Sequence, residues 1–460
     1  MIKPCTMTLS INKSFFYLLI ITGLMSSSCE KYLDVKPVKT VVVPTKLKDL
    51  QALMDNYDII NQKYPALLEL PSDDYYISST DWNAAWITER LNYVWDKDVT
   101  YLASYKYVYQ IVNFANVVLD ELESGKFDQF KSDPEYQNIK GQALFCRSFA
   151  FYHLAQLYCK PYGPTAGDDL GIILRIVPDI EQKSVRSTVK QTYDQIIGDL
   201  KMAIELLPST ALAKSRPNKA AANGALARTY LSMRDYENAG KYADACLKEN
   251  GALMDYNQLD INAFPPIERF NVETVYYCYM DYISLFFDPS GKIDTTLYAS
   301  YDAKDLRKSI FFFENGDGTQ SYKGSYDGTS YYGTLFNGIA TDEMYLIRAE
   351  SYARAGNTAA ALTDLNKLLE KRWKKNEFTP VNAGSPTAAL DLILEHRRKE
   401  LVFRGLRWTD IRRLNLEGRN ITLKRIIDGT SYVLPPNDLR AVMLFPQEVI
   451  DLSGISQNPR

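Results

Sequence analysis

Apolar residues recur at helical spacing along most of this chain, and the spacing fails in two places. Leu47, Leu50, Leu53 and Met54 fall three or four apart, which predicts a short helix over 46–57. Tyr101, Tyr105, Val108, Val112, Ala115 and Leu119 line one face of a helix over 100–122. Pro134 opens the next, over about 135–158, at a position where proline is tolerated. Further helices are predicted over 189–207, 218–233, 236–248, 342–355, 358–371 and 388–403. The periodicity is lost over 64–98, which is dense in aromatics and acids. It is lost again over 251–340, where glycines, aspartates and aromatics interleave with short β-like runs at 274–280 and 310–313.

The helical part repeats itself. Residues 226–247 and 348–369 align at an offset of 122, matching Ala227 with Ala349, Tyr230 with Tyr352, Ala239 with Ala361 and Leu247 with Leu369. Small residues at fixed helical positions let two helices approach, and an aromatic fills the remaining gap. That is tetratricopeptide-like stacking. The expected fold is mostly α: TPR-like helix-turn-helix pairs over about 100–160, 189–248 and 342–371 build an α–α superhelix. A loop-rich region with short strands completes it.

The N-terminus reads differently. Lys3 and Lys13 precede the 11-residue apolar run Phe15–Met25, well short of the ~20 residues a spanning helix needs. Small residues then lead to Cys29, as in a bacterial lipoprotein cleavage site. The expected organisation is a signal peptide over 1–28, a lipidated Cys29 with a tether to residue 45, and one domain over 46–460.

Composition narrows the chemistry. The net charge of −3 points away from nucleic acid and from a polybasic membrane surface. The 33 tyrosines exceed what a core needs, and tyrosine suits recognition of sugars or peptides. Cys146 and Cys159 sit about 20 Å apart on one predicted helix and cannot bridge each other. With no C-x-x-C, buried free thiols are expected and no metal or other cofactor. Only His153 and His396 occur. No H-E-x-x-H, G-x-S-x-G or Walker lysine loop is present, so an enzyme is not expected. The alternative is a surface glycosidase using Asp73 and Asp74, or a TPR scaffold without a small ligand. N-G-D-G at 315–318 reads as a plain turn, since the glutamate of a calcium loop is missing. The arginine-rich run 395–413 offers Glu395–Lys399 and Glu400–Arg404 at i,i+4, the spacing of a structural ion network.

Six segments together resemble the SusD/RagB family of nutrient-uptake outer-membrane lipoproteins: GQALFCRSFAFYHLAQLYCKPYG (141–163), 186–208, 216–239, 342–368, ILEHRRKELVFRGLRWTDIRRL (393–414) and MLFPQEVIDLSGISQNP (443–459). The resemblance implies a lipid-anchored protein facing the cell exterior. It implies a TPR face packed on a SusC-like TonB-dependent transporter and a lid that captures an oligosaccharide or oligopeptide without altering it. The candidate ligand residues rest on composition. They are Asp73, Asp74, Tyr75, Trp82, Asn83, Trp86 and Trp95 in the first irregular stretch, and Tyr282, Tyr298, Tyr322, Tyr326 and Tyr331 in the second. Trp82 and Trp86, four apart, are expected to share one helical face, either open to ligand or buried.

Overall fold

Polar side chains place the helix starts. In the computed structural model, which describes residues 44–179, 181–286, 290–329 and 334–460, Asp133 caps Pro134–Tyr158 through the Glu135 N–H. Thr188 and Gln191 form a reciprocal capping box at Val189–Leu206. Asn218, Asp235, Asn357 and Ser385 each accept from the N–H three residues on and open Lys219–Met233, Tyr236–Glu249, Thr358–Glu370 and Pro386–Glu400. With Leu47–Met54 as α1 and Leu102–Glu123 as α2, these become α3 (134–158), α4 (189–206), α5 (219–233), α6 (236–249), α7 (Thr341–Arg354), α8 (358–370) and α9 (386–400). Arg407–Asn415 is α10. The predicted helices fall within a few residues of these bounds.

Consecutive helices pack pairwise: α2 on α3, α3 on α4, α5 on α6, α6 on α7 and α7 on α8. α3 and α5 are buried on nearly every side and form the centre of the stack. The matched positions of the repeat explain the close approach. Ala227, Ala239, Ala349 and Ala361 are fully buried. An added Cβ on Gly240 of α6 would lie 2.2 Å from Ser351 Oγ on α7, so only glycine fits that crossing. Tyr230 stacks on Tyr242 with ring centroids 5.6 Å apart, the aromatic filler of the α5–α6 pair.

Strands among the described residues are short and pair in twos, all antiparallel. β1 (Tyr75–Tyr76) pairs with β5 (Lys292–Ile293), β2 (Leu170–Ile173) with β3 (Arg186–Thr188), and β4 (Thr274–Tyr276) with β8 (Ile339–Ala340). β6 (Phe312–Glu314) and β7 (Gln320–Tyr322) form a hairpin, with 315–318 in its turn. The run at 310–313 is therefore half helical, since Arg307–Phe311 is a helix and the strand begins at Phe312. β9 (Leu423–Ile427) and β10 (Thr430–Leu434) form a second hairpin. Asp428 and Gly429 there have φ of 47° and 78°, a two-residue Asp-Gly turn.

A buried ion network locks the loop-rich region to the helices. Arg372 bridges Glu273 (2.8 Å) and Glu400 (2.7 Å), and Arg307 bridges Asp305 (2.7 Å) and Glu400 (2.9 Å). The Tyr326 hydroxyl donates to Glu273 at 2.5 Å, and the Arg372 guanidinium lies 4.1 Å from the centre of the Tyr256 ring. One expected pair is corrected. α9 ends at Glu400, so Arg404 lies beyond the helix and bonds Asp342 (3.1 Å) instead, whereas Lys399 does meet Glu395 (2.5 Å). The thiols of Cys146, Cys159, Cys246 and Cys278 are free and buried. No helix among the described residues is long and apolar enough to cross a membrane.

Candidate functional site

The two irregular stretches meet. β1 pairs with β5 in register Tyr75 to Ile293, and the Ser284 hydroxyl and N–H both donate to Glu89. Ser290 reaches Asp81 at 3.4 Å. Residues 73–95 thus meet 281–286 and 290–298 in one surface although some 200 residues separate them.

On that surface Trp86 is 72% exposed and Tyr282 45%, the large aromatics most open to a ligand. Asn83 is exposed and donates to Asp428 at 3.1 Å. Trp82 is half-buried. Its indole N–H donates to the Arg90 carbonyl (3.1 Å), and the Arg90 guanidinium lies 5.1 Å from the ring centre. Tyr298 is also half-buried, with Lys308 over its ring. Beneath this rim sit Glu89 and Asp281. Burial pushes both carboxyls above their usual range, against the hydrogen bonds that Ser284 gives Glu89 and the Tyr282 N–H gives Asp281. Burial first, and then these two acids, push the Tyr101 hydroxyl up to about 12. Glu89, Asp281 and Tyr101 were not among the candidates. Their signal was weak, since no motif or spacing sets these three residues apart in the sequence.

Other candidates are placed differently. Tyr75 is buried and donates to the Leu70 carbonyl (2.8 Å), and Trp95 is buried and donates to the Pro71 carbonyl (3.0 Å). Tyr326 is buried in the ion network, and Tyr322 stacks on Phe403 at 4.7 Å. Tyr75, Trp95 and Tyr326 thus present no face to solvent, and Tyr322 is half-buried. Trp82 and Trp86 do not share a helical face either. Trp82 lies in the short helix Ser79–Ala84, Ala85 is extended, and Trp86 precedes a separate helix, Ile87–Tyr93. Cys29 and Tyr331 lie outside the described residues.

Asp73 and Asp74 are held by arginines. Asp73 takes both Nε (2.7 Å) and Nη2 (2.9 Å) of Arg407, and Arg398 Nε meets Asp74 at 2.9 Å. Burial works against ionisation of Asp73, but the Arg407 and Arg398 guanidinium groups outweigh it and hold its carboxyl well below the usual range. Asp74 is 1% exposed, and burial raises it. Asp73 is paired to arginine and Asp74 is closed off from solvent, so neither presents a free carboxyl to a glycan. A cleft of about 360 Å3 lies beside them, lined by Arg397, Arg398, Arg407 and Arg419. Each of these has its own carboxylate, Asp410, Asp74, Asp73 and Asp391 respectively. The arginine-rich run is an ion network.

His153 is packed inside α3, its ring nitrogens 2.7 Å from the Phe149 carbonyl and 2.6 Å from Asn337 Oδ1. Burial lowers its pKa to about 4. Among the described residues no group of three or more His, Cys, Asp or Glu is placed to hold a metal ion.

Comparison with known proteins agrees with this architecture. Residues 31–231 match a family model described as "Starch-binding associating with outer membrane", and residues 291–444 match the SusD family model. SusD-like protein P2 of Formosa agariphila is 26% identical over 371 residues, 67% of this chain and 70% of that protein. A SusD superfamily protein from Bacteroides thetaiotaomicron superposes with a TM-score of 0.74 at 22% identity, covering 90% of this chain and 100% of its own. One from Bacteroides fragilis gives 0.72 at 22%, covering 90% and 99%. A laminarin-binding SusD-like protein gives 0.65 at 17%, also covering 90% and 99%. This chain belongs to the SusD/RagB family.

Proposed function

We propose that the protein captures an oligosaccharide at the joined surface and delivers it to a SusC-like TonB-dependent transporter, with no chemistry on the ligand. The observation that carries this reading is the meeting of 73–95 with 281–286 and 290–298, which brings exposed Trp86 and Tyr282, Asn83 and half-buried Trp82 onto one surface. Aromatic planes suit the apolar faces of sugar rings, and the amide suits their hydroxyls. The laminarin-binding relative favours a glycan over an oligopeptide.

Calorimetry of the chain from residue 30 onward, against a panel of oligosaccharides and peptide mixtures, tests this. One glycan class should bind, and Trp86→Ala should weaken it by about tenfold or more, equal to about 1.4 kcal/mol. Trp82→Ala should weaken it too, because Trp82 shapes the rim through Arg90. Binding of peptides alone would transfer the site to that class. Cleavage of a bound glycan would replace the binding role with a hydrolytic one.

The anchor belongs to the same reading. Residues 1–28 act as the signal, lipid on Cys29 holds the protein at the outer face of the outer membrane, and residues 29–45 tether the domain over 46–460. Acyl chains contribute about 0.8 kcal/mol per buried CH2. Cys29→Ala should therefore shift the protein from the membrane to the soluble fraction of cells lacking the transporter. Retention in the membrane there would rule out the lipid.

A further inference from the structure

A run of aromatic rings leads away from Tyr282. The chain that leaves β4 carries bridges at Tyr279 and Met280, and along such a run alternate side chains share a side. Tyr277 and Tyr279 do so, with ring centroids 6.1 Å apart. The next alternate residue is Asp281, already placed beneath the rim, and Tyr282 follows it. Tyr57 joins the group, its ring centroid 6.3 Å from those of both Tyr277 and Tyr279. Tyr277 is buried, whereas Tyr57 and Tyr279 are half-buried.

Tyr64 ties this run to the joined surface. Its N–H donates to the Tyr279 carbonyl (3.1 Å), and its carbonyl accepts from the Asp281 N–H (2.7 Å). Lys63, next to it, is half-buried and places its ammonium 4.5 Å from the centre of the Tyr107 ring. The Lys63 charge also acts on the Asp281 carboxyl. A cation and a carboxyl, both suited to hydroxyls, thus stand where the rings meet the rim.

Phe270 stands at the far end. Its ring meets Tyr277 edge-on, with centroids 4.9 Å apart, yet the residue stays 44% exposed. Its φ is 60°, in the left-handed region, where a bulky side chain is strained. Its neighbours hold it there. Arg269 Nε donates to the Asp327 carbonyl (2.8 Å), and Lys214 Nζ to the Asn271 carbonyl (2.5 Å). A Cβ on Gly328 would lie 2.6 Å from the Arg269 backbone nitrogen, so only glycine lets that turn come so close. The fold thus accepts backbone strain to keep an aromatic ring at the surface.

We propose that the ligand surface continues along these rings, so that the site takes an extended oligosaccharide with Trp86 and Tyr282 at one end and Phe270 at the other. This rests on the glycan reading above. Tyr57 and Tyr279 supply the aromatic faces between the two ends, and Asp281 and Lys63 meet hydroxyls. The five residues from Tyr277 to Tyr282 reach about 17 Å in an extended chain, and Phe270 stands one ring contact beyond. That is more than a disaccharide covers. Aromatic planes that recur along a line suit a chain whose apolar faces recur with each sugar ring.

The test is calorimetry of the purified full-length chain with matched disaccharides and hexasaccharides of the laminari, malto, xylo, manno and chito series. In the series that binds, the hexasaccharide should bind at least about tenfold more tightly than the disaccharide. Phe270→Gly removes the ring and suits the positive φ. It should weaken the hexasaccharide by about fivefold or more and leave the disaccharide unchanged. Phe270→Trp should restore the gain, which a merely structural role for the loop would not require. Trp86→Ala should weaken both lengths. Equal affinity for both lengths, or an unchanged hexasaccharide affinity in Phe270→Gly, would overturn the extension and leave the glycan reading standing. Binding of no glycan in the panel would overturn both.

Discussion

Replacing Glu400 by alanine should cost the fold about 3–5 kcal/mol, the range seen when one partner is removed from a buried ion pair. Glu400 is 1% exposed and, among the described residues, is the only carboxylate that both Arg307 and Arg372 contact, one oxygen to each. Its removal leaves two fully buried guanidinium groups one partner short. The loss is not confined to α9, because Arg372 also holds Glu273 beside β4 and Arg307 holds Asp305. The loop-rich half should therefore loosen with the helix. Urea unfolding of the variant should show a lower midpoint, and hydrogen exchange should speed up at Glu273–Tyr276 as well as along α9. Asp194→Ala is the control, since it breaks a pair in which both side chains are 57% exposed and should leave the midpoint in place. A loss below about 1 kcal/mol for Glu400→Ala would mean that the network contributes little to stability.

That network was only partly legible in the sequence. The i,i+4 spacing found Glu395–Lys399 but misassigned Glu400 and Arg404. Spacing assumes that the helix continues, and here it stops at Glu400 before Phe403 and Gly405 turn to positive φ. The partners that Glu400 has instead lie 93 and 28 residues away, at a distance no local pattern encodes. The helical stack was read well for the opposite reason: its determinants are local, in apolar periodicity, N-caps and the small residues that recur at an offset of 122. The β9–β10 hairpin carried a readable signal in Asp428–Gly429 flanked by alternating residues, and it was overlooked. For the site, composition located the two segments but not the exposure of each side chain. Tyr75 and Trp86 are equally aromatic in the sequence, yet one is 1% exposed and the other 72%. Their difference follows from the pairing of β1 with β5, a tertiary fact.

Between pH 6.5 and 8 the protein should lose stability as pH rises, and Glu69→Gln should remove much of that slope. Glu69 is fully buried. It accepts from the Ser72 hydroxyl (2.7 Å) and the Gly405 N–H (2.9 Å), with no cation bonded to it among the described residues. Burial, and then the nearby charge of Asp74, push its carboxyl up to about 8. The folded chain therefore keeps a proton that the unfolded chain releases near the ordinary glutamate value, so stability is greatest at low pH and declines until the folded group itself ionises. Across this window the single group contributes a loss of about 2 kcal/mol, at about 1.4 kcal/mol per pH unit. Glu273, raised to about 7 by burial, adds to the loss in the lower part of the window. Buried His153 acts in the opposite sense, but only below its unfolded value, since its folded pKa is lowered to about 4. That is why the window begins at pH 6.5. Glutamine stays neutral throughout and resembles the protonated acid, so the variant should match the parent more closely near pH 6.5 and exceed it at pH 8. Unfolding free energies from urea titrations at the two pH values decide the matter. An unchanged slope in the variant would place the titrating group elsewhere.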